Sequence, residues 1–159
     1  MQKGQLVNLK SGSPNLEVIW EIGVTLTPPN FPSSNINELL RDEMGYYNGD
    51  NLCEWIFKNK TEQKVFPVET LSLVPLNLIP ATNQTLTMGC VVKVNGQNQL
   101  MTVNWVVGAS CRPIKLIYQD HALRLTGMQD GEVSCIWFDN TGKLNERPFQ
   151  ASILTKMFA

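Results

Sequence analysis

The chain has 159 residues, 43% of them apolar and 17% charged, with a formal net charge of −1 at neutral pH. That balance excludes a disordered chain and gives no overall positive field for nucleic acid or anionic lipid. No apolar run approaches the roughly 18 residues of a membrane span, and the start MQKGQLVNLK lacks the apolar stretch of a secretion signal, so a cytoplasmic protein is expected.

In chain order, the first period-2 segments are residues 6–10 and 16–20, separated by the turn residues Ser11, Gly12, Ser13 and Pro14. A helical insert is expected over residues 34–45, where Ile36, Leu39, Leu40 and Met44 recur at helical spacing between a Ser34 or Asn35 cap and Gly45. Residues 51–58 and 64–68 then read as a hairpin across 59–63. From 72 to 88 runs SLVPLNLIPATNQTLTM, stiffened by Pro75 and Pro80 and too apolar for a free linker, so it should lie against protein.

The second half repeats the first. At an offset of 85, Gly4, Leu6, Val7, Leu9, Leu16, Val18 and Trp20 match Gly89, Val91, Val92, Val94, Met101, Val103 and Trp105. At 82, Gly45, Gly49, Cys53 and Trp55 match Gly127, Gly131, Cys135 and Trp137, and at 83 Phe66 and Leu71 match Phe149 and Leu154. The drifting offset places indels in loops. A helix over 113–126 is preferred, with Pro113 in its first turn and Gly127 at its end, although a hairpin turning at Gln119 and Asp120 fits the alternation too. Residues 132–139 and 147–151 form the last hairpin, across Asn140, Thr141 and Gly142.

Each copy therefore holds four or five short strands and one helical insert, which suits a small antiparallel barrel of the SH3-like kind. The expected fold is mainly β: two fused SH3-like barrels related by internal pseudo-symmetry, over residues 1–76 and 85–159, with a packed connector at 77–84. Such small units bury a modest fraction of surface, so pairing the copies would help both.

The opening GQLVNLKSGSPNLEV and the later GEVSCIWFDNTGKLNERPFQASIL resemble the YodC-like family of small uncharacterised bacterial proteins. The resemblance is to short single-copy members and covers about half of the chain. It implies a small cytoplasmic β-rich module and no particular activity. In the second copy the residues Asn95, Gly96, Gln97, Asn98 and Gln99 stand where the first has the Ser-Gly-Ser-Pro turn.

Little here suggests catalysis. Cys53, Cys90, Cys111 and Cys135 are isolated rather than in the close pairs of a zinc site, and Cys53 and Cys135 share a strand position two before a Trp, which points to core thiols. The single histidine, His121, has no evident partner beyond a conceivable Cys111, and it matches Leu39 in the first copy. Asp42, Glu43, Asp50 and Glu54 read as solvated carboxylates, and no phosphate-cradling glycine loop is present. No enzyme activity, metal or cofactor is expected. Trp20, Trp55, Trp105 and Trp137 recur as pairs and read as packing residues.

Candidate binding residues are Tyr46 and Tyr47, which have no aromatic counterparts in Met128 and Gln129, together with Phe31 in the proline-rich loop 25–32. Lys58, Lys60 and Lys64 form the densest basic group, the place where phosphate could touch. Residues 1–80 carry 6 basic and 9 acidic side chains, and residues 81–159 carry 7 and 5, so neither half favours nucleic acid. The resulting expectation is a non-enzymatic binding module that recognises a protein partner through its inserts and loops. Two alternatives are a small-molecule or nucleotide pocket between the copies, and a nucleic-acid-binding barrel.

Overall fold

The computed structural model describes residues 1–22, 50–106 and 131–159. The helical inserts expected over 34–45 and 113–126 lie outside them. What is described is mainly β. Strands β1 (Leu6–Leu9), β2 (Leu16–Glu21), β3 (Asn51–Phe57), β4 (Lys60–Phe66) and β5 (Leu71–Leu73) form a first antiparallel sheet in the order β4-β3-β2-β1-β5. Strands β6 (Val91–Val94), β7 (Met101–Val106), β8 (Glu132–Phe138), β9 (Leu144–Gln150) and β10 (Leu154–Phe158) form a second, ordered β10-β6-β7-β8-β9. Neither sheet closes into the expected barrel, because β4 and β5 end the first and β9 and β10 end the second.

Both sheets follow the same path. Val7 faces Leu16 and Val92 faces Met101; Val18 faces Cys53 and Val103 faces Cys135; Leu9 faces Leu71 and Val94 faces Leu154. A bulge follows Val18 and another follows Val103, so each strand is bent at the same place. A short 3-10 turn, Val68–Thr70 or Ala151–Ile153, returns the chain to its last strand in each sheet. The amides of Lys10 and Asn95 tie that turn down by donating to the carbonyls of Thr70 and Ile153, at 3.0 and 2.8 Å.

The first hairpin turns earlier than its sequence suggests. β4 begins at Lys60, and only Lys58 and Asn59 turn, with φ of 49° and 62°. Two left-handed residues make the tight turn that matches strand twist, and Asn tolerates that conformation well. Residues 60–63 read as loop from their polarity, yet they begin an edge strand, where polar side chains belong.

One core sits on the inner face of the first sheet: Val7, Leu9, Leu16, Val18, Cys53, Trp55, Phe66 and Leu71. Its cover comes from the other half of the chain. Ile136 and Phe138 of β8 join that cluster, and the Phe138 ring meets Trp55 edge-on at 5.4 Å and 83°. The opposite side of β8 gives Val133 and Cys135 to a second core with Val92, Met101, Val103 and Leu154. β8 is thus buried on both faces. Beside this seam the Ser11 amide donates to Thr102 Oγ1 at 2.9 Å, and the Thr102 hydroxyl donates to Ser11 Oγ at 2.8 Å. Gly89, at φ +85°, lies so close to the Glu69 carbonyl that a Cβ there would run into it.

The connector follows β10. The Ala81 amide donates to Met157 O at 3.1 Å and the Ala159 amide to Ile79 O at 2.9 Å. The Gln84 side chain accepts from Lys156 N at 2.9 Å and donates to Lys156 O at 3.2 Å, and Leu86 packs into the second core. Of the connector's other apolar side chains, Leu73, Val74, Leu76 and Ile79 are exposed and Leu78 and Met88 are half-buried.

Replacing Phe138 by Ala should destabilise the chain by about 3–5 kcal/mol, since it empties the space against Trp55. Urea unfolding followed by tryptophan fluorescence measures this. A loss below about 1 kcal/mol would mean that the first core does not depend on β8.

Candidate functional site

Three places in the described chain could carry chemistry or recognition: the thiols, the two hairpin turns, and the apolar surface along β5 and the connector.

Cys53, Cys90 and Cys135 are buried and unbridged. Strand alternation turns Cys53 and Cys135 inward with the tryptophans two residues later, as the sequence pattern implies. Burial pushes the Cys53 and Cys135 thiols up to about 12 and raises that of Cys90 as well. Val103 donates its amide to Cys90 O and is itself the cross-strand partner of Cys135, so the two cysteines flank it. Two strand spacings, about 10 Å, are too wide for a disulfide. These thiols are core atoms, not nucleophiles. Cys111 and His121 lie outside the described residues.

Asp50, read from sequence as solvated, is instead buried at the start of β3. Its carbonyl accepts from the Ile22 amide at 2.8 Å and its carboxylate from the Val68 amide at 3.4 Å, so it ties the 3-10 turn to the sheet. Glu54 lies on the outer face, half-buried, and accepts from Gln63 Nε2 at 3.2 Å. Among the described residues no group of three or more His, Cys, Asp or Glu side chains could hold a metal ion.

The turn of the second hairpin is longer and internally bonded. Asp139 Oδ1 accepts from the Thr141 amide at 2.9 Å, from the Thr141 hydroxyl, and from the Lys143 amide at 3.1 Å, while Asn145 Nδ2 donates to Oδ2 at 3.1 Å. Bonding to Thr141 and Asn145 holds its carboxyl down at about 2. Every donor comes from the loop or from Asn145 at the start of β9, which makes this an Asx-type turn.

Of the sequence-chosen residues, Phe31, Tyr46 and Tyr47 lie outside the described residues. Lys58 and Lys60 are exposed, and Lys58 Nζ sits 5.3 Å from the Phe57 ring centre. Lys64 faces the seam and pairs with Glu146 at 3.2 Å. Register sets Lys60 and Lys64 on one face with Glu62 between them, so an acid interrupts the basic group.

The surface that sequence inspection missed is apolar. Leu73 is 50% exposed and Ile79 66%, with Val74 and Leu76 between them, and Leu6 joins them across the β1–β5 pair at 49%. Val74 donates its amide to Leu6 O at 3.4 Å, which sets the two side by side. The Leu and Val content of residues 73–79 carries the signal, but composition alone fits a covered connector equally well.

No family model, curated protein or solved structure matches this chain. No helix among the described residues is long and apolar enough to cross a membrane.

Two measurements check these assignments. In a Cys111→Ser chain the native thiols should react with a disulfide reagent at least about a hundredfold more slowly than after unfolding. Fast native labelling would contradict their burial. Asp139 should titrate near 2 by NMR, against an ordinary 3.8. Because its folded value is depressed, its small, solvent-screened contribution to stability is complete above about pH 4 and disappears as pH falls through about 2. Asp139→Asn should remove that dependence, and a midpoint at the ordinary value would contradict the loop network.

Proposed function

We propose that this chain is a non-enzymatic binding module for a protein partner, built as two fused SH3-like units copied from one ancestor and related by internal pseudo-symmetry. The shared strand order, matched register and 3-10 turn before each final strand support the common origin. The resemblance of two of its segments to the short single-copy members of the YodC-like family fits a cytoplasmic module present here in two copies.

The observation that carries the binding role is the run of exposed apolar side chains Leu73, Val74, Leu76 and Ile79 beside Leu6. Singly exposed apolar residues are ordinary, but a contiguous run along a sheet edge marks a contact surface. The run begins on β5, the last strand of its sheet, and leads into the connector. The partner is accordingly a protein offering an apolar segment, with Phe31, Tyr46 and Tyr47 as further contacts. The rival pocket between the copies gains no support among the described residues, where Ile136 and Phe138 fill the seam. Nor does a nucleic-acid role, with Lys64 turned to Glu146.

Changing Leu73, Leu76 and Ile79 together to Asp should leave the fold intact by circular dichroism and reduce partner recovery from the native host at least about tenfold. Equal recovery of every partner would remove the apolar run as the site.

A further inference from the structure

The two sheets of one chain do not meet through equivalent faces. The inner face of the first sheet receives the outer face of the second, with Phe138 against Trp55 and Glu146 against Lys64. Such a head-to-tail contact uses one face of each unit and leaves its complement at either end.

The complements carry matching chemistry. Where the second sheet has Phe138, the first has Ile56, which is 75% exposed on its outer face. Where the first sheet has Trp55 and Phe66 sealed from solvent, the second has Trp137 and Phe149 only half buried, their rings 6.1 Å apart. At the register position of Lys64 stands Arg147, exposed, with its guanidinium 5.3 Å from the Phe149 ring centre. At the position of Ile136 stands Glu54. In the chain's own seam Lys64 reaches Glu146; in the repeated contact Arg147 would meet Glu54, the cross-strand neighbour of the residue at Glu146's position.

We propose that this protein associates head to tail with a second copy of itself: the outer face of one copy's β3–β4 hairpin docks on the Trp137–Phe149 end of the next copy's second sheet. Ile56 enters between the rings as Phe138 enters beside Trp55, and Arg147 pairs with Glu54. The middle of that second face, at Val103 and Cys135, is already covered, so the contact is confined to the β8–β9 end. An occupant with an aliphatic plug beside a carboxylate is what the half-buried rings and the arginine select, and this chain displays one. The contact does not use the apolar run at Leu73–Ile79, so either proposal can fail without the other.

Sedimentation velocity of the full chain tests it, from about 10 to about 500 µM, where a small interface of this kind assembles. The expected result is an average mass that rises with concentration without stopping at a dimer, because the contact does not close on itself. Ile56→Asp or Arg147→Glu should move the rise at least about tenfold higher in concentration, and Glu54→Lys combined with Arg147→Glu should restore it. Both side chains are exposed, so circular dichroism should report an unchanged fold. A one-chain mass at every concentration, or association that both variants leave untouched, would overturn the proposal.

Discussion

The structure depends on a single asymmetric contact, in which the back of β8 closes the core of the first sheet. A five-stranded sheet with one apolar face must bury that face against something. Here Ile136 and Phe138 do so, with the Phe138 ring edge-on to Trp55. The consequence is visible in β8 itself. Cys135-Ile136-Trp137-Phe138 is apolar at every position because both of its sides are covered, whereas the matching Cys53-Glu54-Trp55-Ile56 of β3 alternates in burial. Ile136 in place of Glu54 lets β8 close the first core as well as the second, while the far side of the first sheet carries its own buried cluster of Trp20, Ile22, Leu52 and Val65.

The polar contacts around that seam set geometry more than they add stability. The Lys64–Glu146 pair is partly exposed, and pairs of that kind contribute about 0–1 kcal/mol. The Ser11–Thr102 bonds are better shielded, with Thr102 fully buried, and they fix how the first sheet's opening turn meets β7. Glu17 occupies the position of Thr102 in the first sheet, and it is exposed. Gly89 allows the Glu69 carbonyl to approach, while a Cβ on the matching Gly4 would meet no atom within 4 Å. Many of the residues that agree between the halves, such as Val7 and Val92, Leu16 and Met101, Val18 and Val103, and Cys53 and Cys135, therefore line the sheets' inner faces, and several that disagree lie on the seam. Divergence after a duplication would concentrate where two like units come to occupy unlike places.

Much of the strand layout was legible from alternation and from turn residues. Leu6, Leu16, Cys53 and Glu132 each begin or fall within a strand that pattern alone located, and the offsets of 85, 82 and 83 reappear as cross-strand register. Three things were not legible. The polar run 60–63 hid the first half of an edge strand, because an edge needs no apolar alternation to pair. The 3-10 turns at 68–70 and 151–153 are too short for any periodicity. The exposure of Leu73–Ile79 could not be read either, since apolar composition says that a segment could be buried, and only tertiary context says whether it is. Asp50 shows the converse, a carboxylate drawn inside to accept from the Val68 amide while its backbone carbonyl accepts from Ile22, four residues from an acid that faces out.

The two outermost strands on the β1 and β6 sides show how the chain controls its edges. β10 is flanked by the connector, whose Ala81 amide and Ile79 carbonyl bond to it and whose Gln84 clamps Lys156 on both backbone sides. The buried Lys156 ammonium donates to Thr85 O at 2.8 Å, so even the cation on that strand serves the cover. β5 is only three residues long and is followed at once by Val74 and Pro75. A strand so short, ended by a residue without an amide hydrogen, offers little ladder for another chain to extend. The backbone at that edge discourages indiscriminate strand pairing while the side chains from Leu73 to Ile79 remain outward. Selectivity at this edge therefore resides in how a docking surface fits those side chains, and not in main-chain hydrogen bonds that any extended segment could make.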